Sequence, residues 1–221
     1  LATACAALEL AAVPAWSVAA VAEPNWVRLT QSQFEPIRIS GRLWIVPSWH
    51  VAPDPSAVNL VLDPGMAFGT GSHPTTRLCL EWLERNVVPG CTLLDYGCGS
   101  GILAIAAARL GAGTVAGVDI DPQAVAAAAA NAERNGVVAR FTDSAQPLAG
   151  EYDLVVANIL FNPLRVLAPA ICGHVRRGGR LALSGILREQ ADEIIAIYSR
   201  WLPLQVADTR EDWVCLAGTK P

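Results

Sequence analysis

Lysine is almost absent from this sequence: the only one among its 221 residues is Lys220, one position before the end. The glycine-rich stretch DPGMAFGTGSHPTT, at positions 63–76, therefore lacks the glycine-lysine-serine ending of a phosphate-binding loop. A nucleoside-triphosphate site of the usual lysine-containing kind is excluded. Glycine lets a backbone approach a ligand closely, so this stretch still favours a loop that wraps a small molecule.

Charged residues are also few, and cysteine and histidine form no metal-ligating motif. Charged residues make up only 16% of the chain, the net charge is −4, and basic residues neither cluster nor alternate with aromatic ones. This argues against nucleic acid as the main partner and is compatible with a basic substrate. The six cysteines form no CxxC pair and the three histidines are scattered. We therefore expect neither a disulfide framework nor a metal site. The expected location is a reducing cytoplasm.

The opening residues 1–22 are apolar, but Glu9 and Pro14 interrupt them and no basic start precedes them. This pattern argues against a signal peptide or a membrane span. We predict instead a helix over residues 1–11 and a strand over residues 15–21, which end a domain whose beginning lies outside this sequence.

From residue 91 onwards, short apolar runs alternate with helical patterns, which is typical of a parallel sheet flanked by helices. Strands are predicted in CTLLDYG, TVAGVDID, ARF, EYDLVVANI and GRLALSG. Two final strands in LQVADTREDWVCLAGTK, joined by a tight polar turn, are expected to be antiparallel. The predicted fold class is α/β: a Rossmann-like, doubly wound, mostly parallel seven-stranded sheet with an antiparallel C-terminal strand.

This sheet is assigned to residues 63–221, and residues 23–62 are predicted to be a linker and extension with one strand in RLWIVPSW. Among the helices, one is predicted over residues 162–179, with basic residues in its last turn, where they favour the helix dipole. Another is predicted over residues 187–201.

The motif DYGCGSG joins the first strand of this domain to a helix, so Gly97 and Gly99 lie where bare backbone can approach a ligand. Asp119 ends the next strand, where a carboxylate can accept hydrogen bonds from both hydroxyls of a ribose. A pyrophosphate loop would need glycine in place of Ile102, and Asp95 would repel a pyrophosphate. The motif therefore favours S-adenosylmethionine, which carries a sulfonium and an ammonium but no phosphate.

Asn158 ends the strand EYDLVVANI, at the edge where ligands bind in sheets of this type. A polar amide after four apolar or small residues is well placed to face a reacting group. A turn or helix-start asparagine explains the same pattern, so both interpretations stay open from the residues alone.

Taken together, these pieces resemble a known family. FGTGSHPTT, DYGCGSGILAIAA, GVDIDPQAV with NAERNG, VVANIL and LSGIL are similar to the bacterial ribosomal protein L11 methyltransferases, over about residues 42–218. The resemblance implies a class I enzyme that moves methyl groups from S-adenosylmethionine to the N-terminal α-amine and lysine ε-amines of that ribosomal protein. The cofactor-binding residues that it implies, with the second glycine of the turn included, are Thr76, Gly97, Gly99, Asp119 and Asn158.

The resemblance also implies that residues 1–22 are the end of the small domain with which these enzymes recognise the ribosomal protein. The expected partner is ribosomal protein L11, with no direct nucleic-acid contact, no membrane and no metal.

Methyl transfer needs a neutral amine held close to the methyl group. Asn158 is the predicted catalytic residue, because its amide and the backbone carbonyls after it can accept hydrogen bonds from that amine. Asparagine is not a proton acceptor of any strength, so no general base is assigned. His73 is expected to cap the loop, Asp63 has no assigned role, and Cys98 is expected to be a small side chain in the turn rather than a nucleophile.

Three alternatives remain at this stage. One is an amine or amide methyltransferase of the same fold that acts on another protein or a small molecule. Another is a dinucleotide-dependent dehydrogenase, against which the G-x-G-x-G spacing counts. The third is a non-catalytic binding module that keeps the cofactor site for structure.

Overall fold

The computed structural model describes residues 34–63 and 71–221. The helix, strand and domain remnant predicted in residues 1–22 lie outside the described residues. The strands are β1 Ile37–Arg38, β2 Leu43–Val46, β3 Val58–Val61, β4 Thr92–Tyr96, β5 Thr114–Asp119, β6 Arg140–Asp143, β7 Tyr152–Asn158, β8 Val175–Leu187, β9 Leu204–Arg210 and β10 Trp213–Thr219. The helices are α1 Pro74–Asn86, α2 Ile102–Arg109, α3 Pro122–Arg134, α4 Phe161–Gly173 and α5 Ala191–Tyr198.

Seven strands form one sheet in the order β6–β5–β4–β7–β8–β10–β9. The pairs from β6 across to β8 are parallel, and β10 is antiparallel to both of its neighbours. The predicted fold class is confirmed. The chain runs outwards from β4 to β5 and β6, then crosses back to place β7 on the other side of β4. The strand order therefore reverses between β4 and β7.

Helices pack on both faces of the sheet, and successive residues of a strand point to opposite faces. In β4, Leu93 packs into the cluster that contains α1 and α2, whereas Leu94 packs into the cluster that contains α4 and α5. The central strands are therefore mostly apolar, as is typical of parallel sheets.

A second, three-stranded sheet precedes α1, in the order β1–β2–β3. The strand predicted in RLWIVPSW is confirmed as β2, and β1 and β3 are elements that sequence patterning missed. Leu43, Ile45 and Leu60 of this sheet pack into the same cluster as Trp82 of α1. This part of the predicted linker and extension is therefore packed structure, while the division of the chain into domains stays a prediction.

Two helix boundaries differ from the prediction. The helix predicted over residues 162–179 is wrong in its last six residues, because α4 ends at Gly173 and β8 begins at Val175. Lys220 Nζ donates hydrogen bonds to the carbonyls of Cys172 and Val175, at 3.0 and 2.7 Å. These bonds give carbonyl groups at and just after the end of the helix a partner. Val175 pairs with Tyr152, so the chain after the helix is drawn into the sheet.

The second difference lies after β8. The helix predicted over residues 187–201 is shorter, since Leu187 ends β8, Arg188–Gln190 form a 3₁₀ turn, and α5 covers Ala191–Tyr198. None of the described helices is long and apolar enough to cross a bilayer.

Asn135 closes the outer edge of the small sheet with its side chain. Its Oδ1 accepts from the backbone N–H of Val61 at 2.7 Å, and its Nδ2 donates to the carbonyls of Val61 and Asn131, both at 2.8 Å. Next to it, Arg134 forms an ion pair with Asp63, which also accepts hydrogen bonds from Ser48. The segment that leads into the glycine-rich stretch is thus tied to the end of α3.

We expect Asn135→Ala to lower the free energy of unfolding by about 1–3 kcal/mol, because it leaves two backbone groups of Val61 without their partner. Urea denaturation measures this change. Gln123→Ala serves as the control and should change stability little, because Gln123 is exposed on α3, the helix that Asn135 follows. Equal effects of the two substitutions would contradict the edge-closing role of Asn135.

Candidate active site

A cleft of about 450 Å³ opens at the carboxyl edge of the large sheet, where the strand order reverses. Ligands bind at this point in doubly wound sheets, because the loops that leave neighbouring strands in opposite directions separate there. Its walls combine glycine backbone with apolar and a few polar side chains. The lining residues are His73, Thr75, Gly97, Gly99, Asp119, Asn158, Ile159, Leu160, Pro163, Gly185 and Trp213.

The turn after β4 needs glycine for two separate reasons. Gly97 has φ +78°, which favours glycine over other residues. A Cβ added at Gly97 would also lie 2.3 Å from Cγ2 of Ile159, which is closer than any side chain allows. The backbone N–H groups of Gly97 and Cys98 donate to the carbonyl of Val118, at 2.7 and 3.0 Å. These bonds hold the turn against the end of β5.

Asp119 lies at the end of β5 with its carboxylate fixed by backbone groups. Its Oδ2 accepts from the N–H of Gly99 at 2.8 Å, and its Oδ1 accepts from the N–H of Asp121 at 3.0 Å. A carboxylate oxygen can accept more than one hydrogen bond, so both oxygens retain capacity towards the cleft. This arrangement can hold a vicinal diol such as that of a ribose.

Asp95, behind the glycine turn, is completely buried. Its Oδ2 accepts from the N–H of Ala104 at 3.1 Å, while its Oδ1 has no hydrogen-bond partner among residues 34–63 and 71–221. Burial raises the pKa of this carboxyl to about 7, with a further contribution from the charge of Asp119. A buried acceptor without a partner is costly. A cationic donor, such as an ammonium, in the adjoining space would satisfy it.

That adjoining space is a small recess beside the cleft, lined by Thr76, Asp95, Gly97 and Asn158 among others. Thr76 and Asn158 are in direct contact across it, because Asn158 Nδ2 donates to Thr76 Oγ1 at 3.3 Å. The five predicted cofactor-binding residues therefore all line the cleft or its recess. What each of them contacts in a bound ligand stays a prediction.

His73 caps α1. Its Nδ1 accepts from the backbone N–H of Thr75 at 3.3 Å and lies 2.8 Å from the hydroxyl oxygen of the same residue. The ring also packs edge-on against Trp213, with 5.0 Å between the ring centroids. This geometry agrees with the capping role expected from the sequence, since the Nδ1 nitrogen is engaged at the helix start.

Asp63 and Cys98, the other two residues considered from the sequence, are held by contacts or burial within the fold. Asp63 is held by Ser48 and Arg134 and is not among the residues that line the cleft. Cys98 is buried, and burial raises the pKa of its thiol, as do the nearby carboxyls of Asp95 and Asp119. A thiol with a raised pKa is a poor nucleophile, in line with the expectation.

The described cysteines give no sign of metal chemistry. The five described cysteines are free and buried. In the described part of the chain, histidine, cysteine, aspartate and glutamate side chains form no group that could hold a metal ion.

Sequence reasoning missed several residues of the cleft wall. Trp213 is the first residue of β10, and Gly185 lies within β8, with φ +86°. A Cβ added at Gly185 would lie 2.2 Å from the carbonyl oxygen of Ile159. Leu160, 71% exposed, and Pro163 complete the apolar side. The motifs LSGIL and VVANIL contain Gly185 and Leu160, but only the folded chain brings them to the cleft.

Comparison with known proteins gives a consistent result. The family model "Ribosomal protein L11 methyltransferase (PrmA)" matches residues 2–221. The ribosomal protein L11 methyltransferase of Dechloromonas aromatica (strain RCB) is 81% identical over 221 residues, which cover 100% of this chain and 75% of that protein.

Solved structures resemble the chain as well. A ribosomal protein L11 methylase from Lactobacillus delbrueckii subsp. bulgaricus matches with a TM-score of 0.78 and 34% identity, over 85% of this chain and 99% of that chain. Magnesium protoporphyrin IX methyltransferase from Synechocystis, solved with bound SAM, matches with a TM-score of 0.51 and 23% identity, over 72% of this chain and 87% of that one. The second likeness shows the fold alone.

The raised pKa of Asp95 predicts a pH-dependent stability. Between pH 4 and pH 7 the folded protein keeps a proton that the unfolded chain has lost, so the free energy of unfolding falls as pH rises. Asp95→Asn removes this dependence. As pH rises from 5 to 8, the free energy of unfolding of the variant should increase relative to that of the parent protein by roughly 1–4 kcal/mol. Urea denaturation without ligand measures this difference.

Asp153→Asn is the control. The N–H of Thr92 lowers the pKa of Asp153, so this carboxyl is ionised at both pH values in the folded and unfolded states. Its substitution should change stability equally at pH 5 and pH 8. If Asp95→Asn behaved in the same way, Asp95 would not titrate in this range.

Proposed function

The chain belongs to the ribosomal protein L11 methyltransferase family, and we propose on this basis that it transfers methyl groups from S-adenosylmethionine to amines of ribosomal protein L11. The observation that carries the proposal is the cleft at the strand-order reversal, which brings together the glycine turn, Asp119 and Asn158. The proposed acceptors are the N-terminal α-amine and the lysine ε-amines of that protein, and the proposed location is the cytoplasm.

The residues of the cleft fit S-adenosylmethionine better than a dinucleotide. Asp119 would hold the ribose hydroxyls, and the unpartnered oxygen of Asp95 would face the ammonium. The bare backbone of Gly97 and Gly99 allows close approach. A buried carboxylate at Asp95 would repel a pyrophosphate, which counts against the dehydrogenase alternative. When bound, S-adenosylmethionine supplies an activated methyl group on its sulfonium.

The site must also receive the acceptor amine in its neutral form. A lysine ε-amine has an ordinary pKa of about 10.4 and is almost entirely protonated at neutral pH. Leu160, Pro163 and Trp213 form an apolar wall, and removal of water by such a wall disfavours the charged ammonium. Asn158 Oδ1 would then accept a hydrogen bond from the neutral amine and direct its lone pair. No general base is assigned, and the proton that the acceptor ammonium must lose leaves to water.

Recognition of the ribosomal protein is a separate element of the proposal. Residues 1–22 are proposed to belong to the domain that recognises it, with the chemistry carried by residues 63–221. Neither nucleic acid, nor a membrane, nor a metal ion is part of the proposed reaction.

The direct test combines the purified chain, S-adenosylmethionine with a labelled methyl group, and unmethylated ribosomal protein L11, followed by mass analysis. Label on amines of ribosomal protein L11 supports the proposal. Ribosomal protein L11 with all of its amines acetylated is the control and should remain unlabelled. Label on another protein or on a small molecule would favour the related methyltransferase alternative. Calorimetric binding of a nicotinamide dinucleotide without binding of S-adenosylmethionine would overturn the assignment.

We expect Asn158→Ala to lower kcat by ~100-fold or more, because the acceptor amine loses the group that orients it. The far-ultraviolet circular dichroism spectrum should remain unchanged, since the side chain makes a single hydrogen bond within the described part of the chain. Near-normal turnover in this variant would contradict the catalytic role of Asn158.

Asp119→Ala provides the contrast. The loss of the ribose contacts should raise the Kd for S-adenosylmethionine by about 10–100-fold, measured by calorimetry. Unchanged affinity would show that the ribose is bound elsewhere.

A further inference from the structure

Thr76 has a buried hydroxyl that faces Asn158. Thr76 is the third residue of α1 and is 0% exposed. Its Oγ1 accepts from Asn158 Nδ2 at 3.3 Å, across 82 positions of sequence. The start of α1 is fixed by the His73 cap and by the packing of Leu78 and Trp82 in the core. Thr76 is therefore a rigid partner for the asparagine side chain.

Asn158 is anchored by its backbone, and its side-chain amide has a single hydrogen-bond partner among the described residues. It is the last residue of β7 and pairs with Ser184 of β8. Its Nδ2 bonds Thr76, while its Oδ1 makes no hydrogen bond with any described residue, and the side chain lines the cleft. An asparagine amide has two orientations of nearly the same shape, which exchange an acceptor for two donors. Only one of them presents an acceptor to an amine.

We propose that Thr76 is a positioning residue: its hydroxyl oxygen holds Asn158 Nδ2 and thereby keeps Asn158 Oδ1 directed to the acceptor amine. This inference deepens the proposed function and rests on it. Through this contact, Thr76 contributes to turnover by way of Asn158, in addition to any contact that its hydroxyl makes with the cofactor. Without this partner no described residue holds the amide in the orientation that directs Oδ1 to the amine.

The contact itself can be tested without any cofactor or substrate. The side-chain amide protons of Asn158 are assigned by NMR as the pair of signals that Asn158→Ala removes. In the parent protein, one of these protons should exchange slowly with water. Thr76→Val, which is nearly isosteric, should shift that signal upfield and speed its exchange, whereas Thr76→Ser should preserve both. Thr75→Val is the matched control for the signal, because the Thr75 hydroxyl contacts His73 instead.

An Asn158 signal unaffected by Thr76→Val would overturn the proposal. If the valine variant does not fold, as judged by circular dichroism, Thr76→Ala replaces it and the same two outcomes apply.

Kinetics then separate positioning from cofactor binding. Thr76→Val should lower kcat by ~10-fold or more, with little change in the KM for S-adenosylmethionine, and Thr76→Ser should restore kcat. In an Asn158→Ala background, Thr76→Val should have no further effect on kcat. A raised KM with unchanged kcat, or additive effects in the double variant, would show that Thr76 acts on the cofactor directly. Absence of methyl transfer in the parent protein would instead refute the proposed function, while the NMR result still decides the contact.

Discussion

The contact between the Gly97 turn and Ile159 is the constraint on which the cleft depends. The two segments follow neighbouring strands and approach so closely that a Cβ at position 97 would lie 2.3 Å from the isoleucine side chain. Gly185 approaches the same isoleucine from its carbonyl side. Ile159 therefore packs closely between Gly97 and Gly185. Asn158, immediately before it, cannot shift independently. The two halves of the cleft share one rigid element.

Two carboxyl groups give the cleft its electrostatic character, and their environments differ. Asp119 is solvated on one side and receives a backbone N–H on each oxygen, so its charge is compensated before any ligand arrives. Asp95 is completely buried and receives one N–H for its two oxygens, and burial raises its pKa to about 7. The uncompensated group lies deeper than the compensated one. A ligand with its cation at one end and its hydroxyls at the other matches this order.

The extent to which sequence predicted this molecule follows the range of each signal. The strand and helix alternation, the glycine turn and Asp119 are local patterns, and they lie where the sequence indicates. At the early end of α4, the carbonyl of Cys172 accepts from Lys220, which is 48 positions away, so no local pattern could reveal this contact. β3 is short, and its edge is closed by Asn135 rather than by another strand. Trp213 and Gly185 reach the cleft only through the order of the strands.

The engaged state of Lys220 has a consequence for an enzyme proposed to modify lysine amines. Its Nζ donates to two main-chain carbonyls at the end of α4, and the chain contains no other lysine. The basic residues that give the surface its positive charge are otherwise arginines, whose guanidinium groups remain protonated and are poor methyl acceptors. The residues of this chain therefore offer a single lysine side chain, already engaged with main-chain carbonyls, that could compete with a substrate amine.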